Sequence, residues 1–377
     1  MSEYKYYEWQ TVDRLLTEAE QDAVSRLSSH IDVSSSRAVV TYSWGDFKHD
    51  PRQVMVRFFD AHLYLANWGS RRLSFRFPAR LLNREVIDAY CVRDRITYKT
   101  IGRFDVLDLD LSEEEGGGEW IEGEGSLSGL VPLRDDLIQG DYRLLYLAWL
   151  KAMPLQDDEP PPHRKSSVPK HMDPAIPPGL RQLSPALKRF VDQFDISPSL
   201  VAAAAEMSAE LANIREPDFR PLIAQLSREE CDGFLCRFAQ GDSAAGMELK
   251  KRLLSLMPSQ QVAQAVRLSI GELLRRADEI EEARQKRRKD EARRKHHAEM
   301  EALASREEEI WREVESLVEM KQPKHYEAAV QLLAELKALS EFRDLKADYR
   351  QRLSILCERY RNRPGLKSRV QQAKLLE

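Results

Sequence analysis

The chain has 377 residues, 42% of them apolar and 32% charged, with a formal net charge of −4. That length predicts more than one compact domain, and the charge density predicts long solvated helical faces. Four unpatterned cysteines (Cys91, Cys231, Cys236, Cys357) argue against a disulfide framework or zinc site, and no apolar run has the length of a secretion signal or membrane span, so a cytoplasmic protein off the membrane is expected.

Tyr4 to Trp9 is aromatic and charged by turns, the pattern of an edge strand. Thr17 and Glu20 have the spacing of a capping box and predict a helix from there to about His30. Arg37–Ser43 is β-rich and leads into a turn at Trp44-Gly45-Asp46-Phe47. The organising stretch is Asp46–Leu82. Pro51 suits a first helical turn, and Val54, Phe58, Ala61 and Leu65 recur at helical steps as far as Asn67-Trp68-Gly69, which predicts a helix capped by Gly69. The period then becomes two, with Leu73, Phe75 and Phe77 on one face of a strand and Arg72, Ser74 and Arg76 on the other. A short helix at Arg84–Tyr90, strands at Arg95–Ile101 and Phe104–Leu111 joined at Gly102-Arg103, and a helix over Leu133–Met153 complete an α+β N-terminal domain, residues 1–153.

Residues 154–180 are expected to form a stiff spacer, because positions 154–178 hold eight prolines. Everything after it reads as an all-α C-terminal half. A small helical domain over 181–258 has helices near 185–194 and 198–213, each with a serine cap before proline, then Pro221–Leu226, Arg228–Ala239 and Ala244–Met257. A long charged helix is predicted over 259–320. A terminal helical hairpin, Lys324–Leu339 with Glu341–Arg361, follows within 321–377 and is closed by Pro364-Gly365.

The segments Arg306–Leu339 (REEEIWREVESLVEMKQPKHYEAAVQLLAELKAL) and Tyr349–Val370 (YRQRLSILCERYRNRPGLKSRV) resemble the tails of some bacterial SWIM zinc-finger proteins. The opening SEYKYYEWQTVDRLLTEAE, the WGDF…FFDAHLYLANWGSRRL core and LIAQLSREECDGFLCRFAQGD resemble a family of uncharacterised bacterial proteins. A SWIM zinc site needs Cys-x-Cys followed by Cys-x-His, and neither pair occurs here. The resemblance therefore implies a shared helical module and a SWIM-module protein as a possible partner, with no metal of its own.

Charge is distributed unevenly. Residues 37–104 hold thirteen Lys/Arg against six acids, whereas residues 105–141 hold Arg134 alone against twelve. Arg71, Arg72, Arg76 and Arg80 form a candidate phosphate-binding strand, with Trp44 and Trp68 as candidate stacking platforms. The plain alternative is that the acidic stretch neutralises the basic one. Residues 284–297 carry a second basic run (Arg284, Lys286, Arg287, Arg288, Lys289, Arg293, Arg294, Lys295), net +6, followed by 298–319 at net −6. It reads as a solvated helix, as a nucleic-acid contact, or as one half of an antiparallel homodimer.

Asp105, Asp108 and Asp110 raise a metal-dependent hydrolase as a third function class. Alternation sets Asp105 on the leucine face, away from the other two, so no metal or cofactor is expected. His49 and His62 have no partner at a catalytic spacing, and adjacent His296 and His297 diverge on a helix. The leading expectation is a non-catalytic interaction protein whose helical half contacts a protein partner; nucleic-acid binding is the alternative.

Overall fold

The computed structural model describes residues 3–113, 127–153, 173–211, 218–242, 244–257 and 266–375. They fall into two compact units, Met1–Glu281 and Glu282–Glu377. An α+β region is followed by a helical C-terminal half with a long helix and terminal helices.

The first unit is built on a seven-stranded sheet ordered β2-β3-β1-β4-β5-β7-β6. The strands are β1 (Lys5–Gln10), β2 (Asp32–Val33), β3 (Arg37–Tyr42), β4 (Ala61–Ala66), β5 (Arg71–Pro78), β6 (Ile96–Ile101) and β7 (Phe104–Asp110), and every pairing is antiparallel. Strand alternation sends residues to two separate cores. One face buries Leu63, Leu65, Leu73, Phe75, Phe77, Leu107 and Leu109 in a cluster that includes helices Arg143–Ala152, Pro185–Gln193 and Pro198–Met207. The other buries Tyr7, Trp9, Val40 and Val106 with Val54, Met55 and Phe58 of helix Pro51–Phe58.

Four local expectations in this unit need correction. The predicted helix after Pro51 ends at Phe58, where Phe59 turns extended at φ −126°, and Ala61–Ala66 is strand β4. The same residues satisfy both periods: Ala61, Leu63 and Leu65 alternate as well as they recur helically. Backbone partners on both sides, β1 and β5, decide for the strand, because burial without those hydrogen bonds would strand polar groups. Gly69 then closes the β4–β5 turn at φ +95° instead of capping a helix. Strand β1 is internal, paired with β3 and β4, so its aromatic residues cover both faces of the sheet and not a free edge. The helix expected over 133–153 is broken into Pro132–Ile138 and Arg143–Ala152 at Gly140, whose φ of +86° a helix cannot accommodate.

Other local signals appear as read. Thr17 and Glu20 form a reciprocal capping box on helix Glu18–Ser25, and Ser184, Ser197 and Ser227 cap the helices that follow them. The β6–β7 turn carries Gly102 at φ +60°. Residues 154–172 of the expected spacer lie outside the described residues, while Ile176 and Leu180 near its end are buried in the same core as the sheet.

In the second unit, helices Glu307–Glu319, Pro323–Phe342, Lys346–Arg359 and Pro364–Gln372 close around Val314, Val318, Ala329, Leu333, Leu353, Leu366 and Val370. The helix expected over 259–320 is two helices, Ile270–Ser305 and Glu307–Glu319, separated at Arg306 (φ −110°, ψ 8°); residues 259–265 lie outside the described residues. Pro364 opens a further helix instead of ending the hairpin, as the tolerance of proline at a first helical position allows.

Phe75 is wholly buried at the centre of β5. Phe75→Ala is expected to destabilise the first unit by about 3–5 kcal/mol, read from urea unfolding followed by tryptophan fluorescence.

Candidate functional site

The register of β5 decides what its arginines can do. Arg72 stands opposite Asp110, Ser74 opposite Asp108 and Arg76 opposite Val106. Arg72 is ion-paired to Asp110, and its Nε lies 3.7 Å from Asp108; Arg52 reaches the same Asp108 at 3.6 Å. Among the described residues the acidic stretch thus engages one arginine of the basic strand, Arg72.

Arg76 is buried and belongs to the interior. Its guanidinium pairs with Asp60 at 2.5 Å, donates to the Val56 carbonyl at 2.7 Å and stacks 4.3 Å from the centre of the Phe104 ring. Asp60 also accepts the backbone N–H groups of Val12 and Asp13 at 2.7 and 3.0 Å. Arg134, fully buried, pairs with Asp13 through both terminal nitrogens at 2.8 Å and donates to the Arg76 carbonyl at 2.9 Å. Two arginines and two aspartates form one network. Burial pushes the Asp13 carboxyl upward, whereas the two guanidiniums and the backbone donors hold Asp60 low despite its own burial.

Arg71 is half-buried and Arg80 exposed, and neither guanidinium is ion-paired among the described residues. Arg71 opens β5 and Arg80 lies in the turn beyond Pro78, so the length of the strand, about 23 Å, stands between them. Trp44 (76% exposed) and Trp68 (37% exposed) follow β3 and β4 at the Arg71 end. Lys5 links those two turns: its ammonium donates to the Gly45 carbonyl at 2.7 Å and lies 5.3 Å from the Trp68 ring centre. The four predicted arginines therefore do not make one surface.

The second basic run behaves differently. Arg284, Lys286, Arg287, Arg288, Lys289, Arg293, Arg294 and Lys295 are all exposed on helix Ile270–Ser305, and none of them is ion-paired among the described residues. His296 and His297 set their rings edge-on to Phe342 at 5.9 and 5.1 Å.

Asp105 faces away from Asp108 and Asp110, as alternation requires. It accepts from Tyr98 Oη at 3.0 Å, Thr100 Oγ1 at 2.6 Å and the Arg80 N–H at 2.8 Å. Among the described residues no cluster of three or more His, Cys, Asp or Glu is arranged to hold a metal ion.

A feature that sequence spacing does not reveal is the row His62–Ser74–Asp108 across β4, β5 and β7. The residue types are those of a hydrolytic triad, but their order is not. Ser74 is buried and donates to Asp108 at 2.7 Å, while neither ring nitrogen of His62 has a hydrogen-bond partner among the described residues. His62 is 1% exposed, packs 5.2 Å from the Trp9 ring, and is pushed down to about 3 by burial and by the positive charge of Arg72 and Arg52. It is neutral at physiological pH. Only the pairing of three distant segments brings this row together; alternation in each strand marks the face, not the neighbours.

No protein-family model, curated protein or solved structure matches the chain.

A histidine whose pKa is depressed on folding contributes full stability above its unfolded value and loses it as pH falls toward the folded one. The window here runs from about 6.5 down to about 3. His62→Leu removes that dependence: relative to wild type, the variant is expected to gain ~2 kcal/mol in stability between pH 7 and pH 5, read as the shift in the difference of their urea midpoints.

Proposed function

We propose that this chain works by association, not turnover, and that its basic helical segment Arg284–Lys295 contacts a nucleic-acid backbone. The observation that carries this reading is the set of eight exposed cations that no carboxylate among the described residues neutralises. Their placement favours a groove over a flat surface. At about 100° per residue, Arg284, Arg288 and Lys295 form one stripe, Lys286, Lys289 and Arg293 a second, and Arg287 and Arg294 a third. A membrane or a protein face meets one stripe of a helix. A nucleic-acid groove, flanked by phosphates on both sides, meets several. The segment is about 18 Å long and would run beside roughly ten phosphates of a duplex.

Antiparallel pairing of two copies has less support. Its acidic half would have to be available, yet Glu307, Glu308 and Glu315 are already engaged by Arg343, Arg352 and Arg359 of the same unit.

A protein partner is the second reading, favoured by helix Arg228–Ala239. That helix buries no residue and leaves Leu235 and Phe238 62% and 46% exposed. A SWIM-module protein, suggested by the sequence resemblance alone, is the partner of interest for it. Affinity purification with and without nuclease separates the two: nuclease-sensitive recovery supports the backbone contact, and one stoichiometric, nuclease-resistant protein supports the partner.

Phosphate neutralisation sets the quantitative expectation. Affinity for duplex DNA or RNA should fall ~10³-fold or more between about 50 and 200 mM salt. Substituting Gln at Arg287, Arg288, Arg293 and Arg294 should weaken binding and flatten that salt slope, measured by fluorescence anisotropy. Binding indifferent to salt, or unaltered in the fourfold variant, would remove this reading.

A further inference from the structure

A cleft of about 360 Å³ in the first unit lies between the exit of β5 and helix Ala245–Ser255. It is lined by Ala79, Arg80 and Leu81 on one side and by Glu248, Lys251, Arg252 and Ser255 on the other. Its volume is that of a small-molecule site. Three cations face one carboxylate, and that carboxylate is engaged elsewhere: Glu248 is held by Arg237 at 2.6 Å. Arg252 is balanced by Glu230 at 3.0 Å, which leaves Arg80 and Lys251 as the cations with no ion pair among the described residues.

Arg80 lies in the left-handed region, one of six non-glycine residues with positive φ among those described. Leu81 N–H closes a turn onto the Pro78 carbonyl at 3.1 Å, and Arg80, at its third position, has φ +67°. Glycine or asparagine normally takes such a place, because a Cβ there crowds the following carbonyl. Both backbone polar groups of Arg80 are held from outside. Its N–H goes to Asp105 at 2.8 Å, and its carbonyl accepts from Lys251 Nζ at 3.3 Å. The main chain is pinned in a strained conformation while the guanidinium is left unpaired at the cleft, the pattern of strain retained for a function. Lys251, by bonding the Arg80 carbonyl, brings its ammonium to the same place and keeps further N–H donors available.

We infer that this cleft binds a small molecule through a phosphate group, with Arg80 supplying a planar pair of donors and Lys251 a point charge. The site is separate from the basic helical segment and does not depend on it.

Isothermal titration of the full chain with inorganic pyrophosphate at low ionic strength tests it. Saturable binding is expected in wild type, weakened at least tenfold in Arg80→Gly and again in Lys251→Met. Arg80→Gly should also unfold at an equal or higher temperature than wild type, because glycine relieves the positive φ; a purely structural role for the side chain predicts the opposite. Displacement by a nucleoside monophosphate, and not by the unphosphorylated nucleoside, would identify phosphate as the recognised group. Three results overturn the inference: no saturable binding in wild type, wild-type affinity in both variants, or affinity lost only when the arginines of the basic helix are replaced by glutamine.

Discussion

The pairing of Arg76 with Asp60 inside the first unit is the contact on which its architecture rests. Two opposite charges out of water are tolerable only when each is paired and its remaining hydrogen-bonding capacity is filled. Here the two are paired, and each side-chain nitrogen and oxygen of the pair has a hydrogen-bond partner. Asp60 takes two N–H groups from the chain leaving β1, precedes β4 directly, and binds a side chain of β5. Arg134 extends the network to helix Pro132–Ile138 by holding Asp13 and capping the Arg76 carbonyl. Three strands and a helix are thus joined through one buried network, and removing any one of its charges would leave its partner unpaired in the interior.

The same principle sorts the basic residues of the chain into those consumed by folding and those left over. Arg72 and Arg76 look alike in sequence to Arg71 and Arg80, yet the first two are tied to carboxylates and the second two are not. Along Arg284–Lys295 the eight cations are exposed around the helix and have no ion pair among the described residues. Charge that the fold does not use is the charge available to a ligand. That reasoning leads to the basic helical segment and, separately, to the Arg80–Lys251 cleft.

His62 shows how a suggestive set of residue types can be chemically idle. It shares a face and a row with Ser74 and Asp108, but the serine proton is directed to the carboxylate and the imidazole is buried against Trp9. A hydroxyl sealed in the interior is not a nucleophile for an external substrate. What remains is a neutral histidine held beside two arginines, a group that matters to stability at low pH more than to chemistry.

Local chemistry was legible in the sequence wherever one segment decides its own conformation. Capping serines, the Thr17–Glu20 box, the Gly102 turn and the two faces of β5 and β7 depend on residues within a few positions of each other. The general architecture, a mixed region followed by helices, follows from those same periodicities. Ala61–Ala66 fits both periods, and only pairing with β1 and β5 supplies the hydrogen bonds that choose the strand. Which arginines would be free was likewise beyond the sequence, since charge counts are local whereas pairing joins Arg72 to Asp110 and Asp13 to Arg134 from distant positions in the chain. The sequence by itself determined the elements whose signals are local and the polarity of their faces; tertiary structure decided the ambiguous elements and the partners of all, because the cost of an unpaired buried group is settled only when the whole neighbourhood is assembled.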